Sequence, residues 1–198
     1  YGADAVLTFA DLPGAEQTLS QTLRTQLGEN ARLGIEASAP YSVLRLVETV
    51  VPGERLTLAD DVLKQARMIK SPAEVALLEK SINAVEQTVS ELMDMVRVGI
   101  GRSALIRAAK VGMLRNGASG FSHVTISFGA SNPEVEIDEA LQPGKLVVLD
   151  LGAIVDGYYS DNRRLMYSGA VPDGINTLHR TMCAILEETA SLLAPGVL

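Results

Sequence analysis

Two carboxylates, Asp150 and Asp161, are the residues whose type and spacing best fit chemistry in this 198-residue chain. They flank the dipeptide Asp156-Gly157 within a run of β-forming residues. Asp-Gly favours a two-residue hairpin turn, because both central positions of that turn need a positive φ. A hairpin closed there pairs Val155 with Tyr158. Since side chains alternate between faces along a strand, this register predicts that both aspartates lie on the same face as diagonal neighbours.

The same register places Asp150 opposite Arg163 and Asp161 opposite Gly152. Diagonal Cβ atoms on neighbouring strands are somewhat less than about 7 to 8 Å apart. Two carboxylates at that distance can lean toward one hard cation or a pair of cations, and Gly152 would keep the face open. Two aspartates on a polar hairpin face are also commonly only solvated. Spacing alone leaves both interpretations open.

The residues around the aspartates resemble the metal-binding hairpin of the pita-bread superfamily, which includes prolidase, aminopeptidase P, methionine aminopeptidase and creatinase. The matching pattern is Asp-x-Gly at 150–152 and Asp-Gly-Tyr-x-Ser-Asp-x-x-Arg at 156–164, preceded by the segment 141–148. Residues 67–74 are similar to the entry to the catalytic domain in the prolidase and aminopeptidase P branch. Residues 194–197 resemble the close of the first half of that domain.

This resemblance implies an α+β fold: the first half of a pita-bread catalytic domain, preceded by part of a small α/β N-terminal domain. We expect the creatinase- or prolidase-type N-terminal part over residues 1–62, a linker over 63–71 and the catalytic half over 72–198. A start at Tyr1 rather than Met predicts a partial chain. The uncovered sheet edge and apolar surface of half a domain predict self-association of the isolated chain.

The resemblance also implies an enzyme, a metallo-aminopeptidase or dipeptidase that hydrolyses peptide bonds next to proline with a metal-bound hydroxide. The cofactors would be two divalent ions (Mn, Co, Zn or Fe), with Asp150 bidentate to one ion and Asp161 bridging both. One histidine and two glutamates would follow Leu198, so we expect this chain alone to be inactive and assign no catalytic residue within it. The expected partners are a proline-containing peptide and a second copy of the chain in a homodimer.

Two departures from the family pattern leave other functions open. No histidine follows Gly129 at 130–136, where the metallopeptidases usually place one that contacts substrate. Arg163 replaces a threonine, while Arg164 keeps the family arginine. Arg163 is predicted either to pair with Asp150 or to turn toward solvent. With Tyr159, the two arginines are candidates for the surroundings of substrate and metal. The alternatives are a creatinase-like or other small-molecule hydrolase or lyase, and a non-enzymatic binding module of the same fold.

Composition argues against several other classes of function. The net charge of -7 predicts no nucleic-acid binding, because a basic surface is needed to displace phosphate counterions. The chain has no apolar run of about 18 to 20 residues, so no membrane span is predicted. The first residues lack a signal-peptide pattern, and we therefore expect a cytoplasmic protein.

Cys183 is predicted to be a small core residue. His123 is interpreted as a structural strand histidine, and His179 as a partly exposed helical one.

Periodicity and turn residues predict the secondary structure. In the first domain we expect helices over 14–28 and 41–50 and strands over 5–9, 33–36 and 55–59. Ser71, Pro72 and Glu74 form a capping box that should open a long helix, with an apolar stripe through Val75, Leu78, Ile82, Val85, Val89, Leu92 and Val96. A second helix, capped by Ser103, should run to Leu114. Strands are expected at 120–128, 134–137, 145–155 and 158–167, and a last helix at 176–193.

Overall fold

The computed structural model describes residues 14–28, 30–129 and 138–197, and the chain divides into two compact units, Tyr1–Lys70 and Ser71–Leu198. The first unit contains helices α1 (Ala15–Gln26), α2 (Tyr41–Glu48) and α3 (Asp60–Met68), with strands β1 (Leu33–Ile35) and β2 (Leu56–Leu58). The two strands pair in parallel, with Leu33 opposite Leu56. The helices and strands expected from residue 14 to 59 are confirmed. The expected strand at 5–9 lies outside the described residues.

The interval 63–71, predicted as a linker, contains the C-terminal part of α3, which ends at Met68. The boundary between the compact units falls between Lys70 and Ser71. The assignment of the first unit to a creatinase- or prolidase-type N-terminal domain stays a prediction.

The second unit combines three helices with one antiparallel sheet. Its helices are α4 (Pro72–Met95), α5 (Arg102–Arg115) and α6 (Asp173–Leu192), and its strands are β3 (Gly120–Phe128), β4 (Leu146–Val155), β5 (Tyr158–Tyr159) and β6 (Asn162–Tyr167). Strand β4 is central: β3 pairs with one edge, and β5 and β6 pair in succession with the other. The predicted strands at 120–128, 145–155 and 158–167 are confirmed, although the last is interrupted at 160–161. The predicted strand at 134–137 lies outside the described residues.

Helix α4 begins as the sequence predicts. The Ser71 hydroxyl accepts a hydrogen bond from the Glu74 N–H at 3.3 Å, and the Glu74 carboxylate accepts one from the Ser71 N–H at 2.6 Å. Glu74 also accepts a hydrogen bond from the Tyr158 hydroxyl at 2.9 Å, which ties the start of α4 to the turn end of the hairpin. The Ser71 backbone and side chain, and then Tyr158, lower the pKa of Glu74 below its ordinary value.

The buried side of α4 differs in part from the predicted apolar stripe. Val85, Val89 and Leu92 are buried as expected, but Val75 and Ile82 are 43% and 41% exposed. Ser81, Ala84 and Thr88 are buried instead. These short side chains let the helix approach the sheet closely, and the Ser81 and Thr88 hydroxyls find partners on Ala153 and Ala84.

Helix α5 also differs from the prediction at its start. Gly101, not Ser103, is its N-terminal cap, and no side chain completes the cap. Instead the Asp138 carboxylate, from the segment between β3 and β4, accepts the Ser103 N–H at 3.3 Å and so supplies the acceptor that was expected from the serine.

The core of the second unit lies between the helices α4 and α5 and one face of the sheet. Fully buried members include Val85, Leu92, Leu105, Ile126 and Leu149. Burying each such side chain contributes roughly 1.5 to 3 kcal/mol. Along β4 the residues at 147, 149, 151 and 153 are buried in this core. Because strand side chains alternate, Asp150 and Gly152 face the opposite side of the sheet.

Helix α6 begins at Asp173, three residues before the predicted start, and most of its apolar side chains are exposed, including Leu178 at 63%. Cys183 is half-buried rather than a core residue, so that prediction is wrong. Its Sγ atom lies 3.8 Å from Nε2 of His179, which is one helical turn away and exposed as predicted. Among the helices in the described ranges, none combines the length and apolar character that crossing a membrane requires.

Candidate metal centre

The hairpin between β4 and β5 places Asp150 in the register that the sequence predicts. Asp156 and Gly157 have φ values of 48° and 84°, the positive values that a two-residue turn of this kind needs. Val155 pairs with Tyr158, and Asp150 lies opposite Arg163. The expected pairing is therefore confirmed, and Asp150 and Arg163 share the face of the sheet that points away from α4 and α5.

The break between β5 and β6 holds Asp161 on this same face. Ser160 is buried on the helix side, where its hydroxyl accepts the Ala153 N–H at 3.1 Å and donates to the Ser81 carbonyl at 3.1 Å. The Ser81 hydroxyl lies 3.0 Å from that of Ser160. With Ser160 anchored inward, the next side chain along the strand, Asp161, points outward.

His123 reaches both aspartates from the opposite edge of β4. A bulge at Ser122 shifts the β3 register, and His123 then lies opposite Gly152. Gly152 thus sits between His123 on one side and Asp161 on the other. An added Cβ at Gly152 would come closest to the Ser122 hydroxyl oxygen, and it would lie 2.5 Å from His123 Cε1 and 2.6 Å from the Ser160 carbonyl oxygen. The absence of a side chain at Gly152 gives the imidazole its space.

The three side chains form one compact cluster. His123 Nε2 lies 3.3 Å from Asp150 Oδ1 and 3.5 Å from Asp161 Oδ1. One ligand atom from each residue falls within 4.8 Å of the other two. Asp150 is the most enclosed, with 14% of its side chain exposed against 32% for His123 and 81% for Asp161. The cluster is open to solvent on the Asp161 side.

Arg163 occupies the second oxygen of Asp150. Its Nε donates to Asp150 Oδ2 at 3.1 Å, and Nη2 donates to the same oxygen. The hydrogen bond to Asp150 and the charge of that carboxylate raise the pKa of Arg163. Of the two alternatives for this arginine, pairing with Asp150 is the one observed. Only Oδ1 faces His123 and Asp161, so a bidentate Asp150 is not available while Arg163 stays in place.

Arg164 and Tyr159 do not contact this cluster through any contact found in the described residues. Arg164 points to the helix side of β6, where its Nη2 pairs with Glu86 of α4, and Asn162 donates to the same carboxylate at 2.8 Å. Tyr159 pairs with Ile154 in the ladder and is 59% exposed. By strand parity it shares the face of Asp161. The roles assigned to both residues near substrate stay predictions.

The cluster fits a divalent cation through one nitrogen and two oxygen donors. Imidazole and carboxylate together suit first-row transition metals, whereas Mg and Ca prefer oxygen alone. Sequence patterns did not connect His123 with the aspartates, because β3 ends at Phe128 and β4 begins at Leu146, too far apart in sequence for a two-residue turn to predict their register. The glycine opposite His123 and the bulge at Ser122 become informative only once the strands are paired. The predicted histidine gap at 130–136 lies outside the described residues.

A mixed sheet-and-helix unit of this kind, with an acidic hairpin on the open face, is the pita-bread architecture. The prolidase of Thermococcus sibiricus superposes with a TM-score of 0.80 at 20% identity, over 100% of this chain and 55% of that one. The prolidase of Pyrococcus horikoshii superposes with a TM-score of 0.71 at 25% identity, over 82% of this chain and 47% of that one.

Sequence comparison assigns the family. Metallopeptidase family M24 matches residues 76–198, and the chain belongs to that family. The chain is 25% identical to an Xaa-Pro dipeptidase of Pyrococcus horikoshii, over 83% of this chain and 48% of that protein. It is 34% identical to a methionine aminopeptidase of Helicobacter pylori, over 52% of this chain and 44% of that protein. The chain spans about half the length of these relatives.

Proposed function

We propose that this chain is part of a metal-dependent peptidase that hydrolyses bonds next to proline, of the prolidase or aminopeptidase P type. The observation that carries the proposal is the convergence of Asp150 and Asp161 on one open face of a family M24 fold. Relatives named as Xaa-Pro dipeptidases support the choice of substrate. The proposed substrate is a peptide that contains proline, and a cytoplasmic location stays a prediction.

Within this proposal, Asp150 and Asp161 are metal ligands, and the cofactor is Mn, Co, Zn or Fe, with two ions in the complete enzyme. A bound divalent ion supplies Lewis acidity and lowers the pKa of water toward neutrality. Asp150, enclosed and held by Arg163, presents a fixed oxygen to the cluster. Asp161, more exposed, lies on the side open to substrate. Arg163 orients Asp150, and Tyr159 offers a hydroxyl on the substrate face.

We propose that these 198 residues alone do not hydrolyse peptides. In the described residues the cluster contains three possible donor side chains, and a hard divalent ion usually takes six or more ligands. Water would fill the remaining positions, and metal binding would be weak. Activity is therefore tested on the full-length gene product, and metal binding on this chain.

Calorimetric titration with Mn²⁺ tests the proposed ligands. We expect wild-type chain to bind and Asp161→Asn to lose measurable binding, because one carboxylate charge is removed from the cluster. Asp173→Asn, a matched change at the exposed start of α6, should bind like wild type. Equal binding by all three proteins would refute the metal role of Asp161. Hydrolysis of Xaa-Pro dipeptides by the full-length product with Mn²⁺ tests the reaction itself.

The contact between Arg163 and Asp150 favours a second candidate. A positive side chain on one ligand oxygen suits either other chemistry on the same fold, such as a creatinase-like small-molecule hydrolase or lyase, or a binding module without catalysis. If the full-length product hydrolyses no Xaa-Pro peptide with Mn, Co, Zn or Fe, this second candidate replaces the first.

We also propose that the complete protein is a homodimer and that this chain alone self-associates. The exposed apolar side chains of α6, with Leu178 63% and Leu186 65% exposed, support self-association. Light scattering behind size-exclusion chromatography measures the mass directly. A single species near the 21.0 kDa of one chain at all concentrations would refute self-association.

A further inference from the structure

We propose that His123 is itself a metal ligand, so that in this chain alone His123, Asp150 and Asp161 form a mononuclear site for a borderline transition metal ion such as Zn²⁺. This inference rests on the proposed metal role of the two aspartates and goes beyond it in naming a nitrogen donor and a stoichiometry of one. The donor comes from β3, on the far side of Gly152 from Asp161.

The position of His123 supports a ligand role. Its Nε2 atom, not its ring edge, is turned toward the two carboxylates, at 3.3 Å from Asp150 Oδ1 and 3.5 Å from Asp161 Oδ1. Side chains from β3, from β4 and from the break between β5 and β6 meet at this point, and Gly152 leaves the ring the room to reach it.

The Ser122 hydroxyl can stabilise the His123 tautomer that a metal ligand needs, with the proton on Nδ1. Its hydroxyl lies 3.0 Å from His123 Nδ1. A hydroxyl both donates and accepts, so it can accept the Nδ1–H when Nε2 uses its lone pair on a metal. A partner on the second ring nitrogen fixes the orientation of a metal-bound histidine, and such partners are the rule. The bulge at Ser122 therefore places a hydrogen-bond partner beside the second ring nitrogen of His123.

In this chain alone, Arg163 limits the site to one ion. It holds Asp150 Oδ2, which leaves Oδ1 of that residue for the cluster. Two carboxylates and one guanidinium give the group a formal charge of -1 with neutral histidine. One divalent ion brings this to +1, whereas a second ion would bring it to +3 beside a fixed positive side chain. Repulsion at these distances opposes the second ion.

The chain offers a simple spectroscopic test, because it contains two histidines. Chain labelled with ¹⁵N-histidine is titrated with Zn²⁺ while its ring nitrogens are followed by long-range ¹H–¹⁵N NMR. To remove adventitious zinc binding by the neighbouring pair on α6, the work is done in His179→Gln/Cys183→Ser chain. We expect the His123 Nε2 resonance to shift to a coordinated position, Nδ1 to carry the proton, and calorimetry to give one Zn²⁺ per chain.

Two substitutions separate this inference from the proposed function. Mutating a residue that only hydrogen-bonds to a metal ligand typically lowers metal affinity 10- to 100-fold. Because His123→Gln removes a ligand itself, it should weaken Zn²⁺ binding by about tenfold or more. Asp161→Asn should also abolish most binding. Unshifted His123 resonances at saturating Zn²⁺, or two ions per chain, would overturn the inference while leaving the carboxylate site intact. Unchanged binding in Asp161→Asn would refute the proposed function instead. Far-UV circular dichroism checks that each variant is folded.

Discussion

Replacing Gly152 by alanine should destabilise the second unit and displace His123 from the aspartates. The added Cβ would clash with the Ser122 hydroxyl oxygen and lie 2.6 Å from the Ser160 carbonyl oxygen and 2.5 Å from His123 Cε1, whereas ordinary contact begins at 3.4 Å. The ring can move by the missing 0.9 Å, but the carbonyl belongs to the neighbouring backbone and the missing 0.8 Å must come from the strands. Gly152 does not have a positive φ, so the clash, not the backbone conformation, opposes alanine.

The size of the effect follows from two opposing contributions. Overpacking costs about 1 to 3 kcal/mol. Alanine reduces the conformational entropy of the unfolded chain, which stabilises the fold by about 0.4 to 1 kcal/mol. We therefore expect a net loss of about 1 to 2 kcal/mol. For a unit of this size the melting temperature should fall by about 4 to 8 °C.

Gly120→Ala is the matched control for this measurement. Gly120 lies in the same sheet, and the nearest atom to its added Cβ is Ile154 Cδ1 at 3.9 Å. Thermal melting followed by circular dichroism should leave this variant within about 0.5 kcal/mol of wild type. Zinc titration of Gly152→Ala should resemble that of His123→Gln. A Gly152→Ala protein that melts at or above the control would refute the steric argument.

Three further changes test the surroundings of the cluster. Arg163→Gln should raise the affinity for Mn²⁺ by about two- to fivefold in calorimetry, because the exposed guanidinium of Arg163 competes only weakly with the metal ion for Asp150. Unchanged or lower affinity would show that Arg163 and the metal ion do not compete for this carboxylate. Ser81→Ala should cost about 0.5 to 1.5 kcal/mol in urea unfolding, since it removes the buried hydrogen bond that the Ser81 hydroxyl makes to Ala153 or Ser160, and an exposed Ser191→Ala serves as control. The lowered pKa of Glu74 implies stability that is present above its unfolded value of 4.5 and lost as pH falls through the lower folded value. Glu74→Gln should therefore flatten the loss of stability below that pH, and an unchanged acid slope would contradict the cause.

Local rules accounted for the hairpin and for the start of α4. Asp156-Gly157 specifies its own turn, and a two-residue turn dictates the pairing of every residue on both strands, so Asp150 opposite Arg163 followed from the sequence. The capping box at Ser71 is equally local, since both partners lie within one helical turn. The family could also be predicted from the sequence, because the residues that carry its pattern lie in this same short hairpin segment.

The sequence did not predict that His123 joins Asp150 and Asp161 in one cluster. His123 stands 27 positions before Asp150 in sequence. Strand β3 ends at Phe128 and β4 begins at Leu146, a separation too long for the residue types of a two-residue turn to specify the register. The buried face of α4 was misjudged for a related reason, since Ser81 is enclosed only because Ser160 and Ala153 meet it from the sheet. Short-range signals decide turns, caps and strand faces. Contacts between distant strands depend on how the whole sheet packs, and that packing alone brought an imidazole between the two carboxylates.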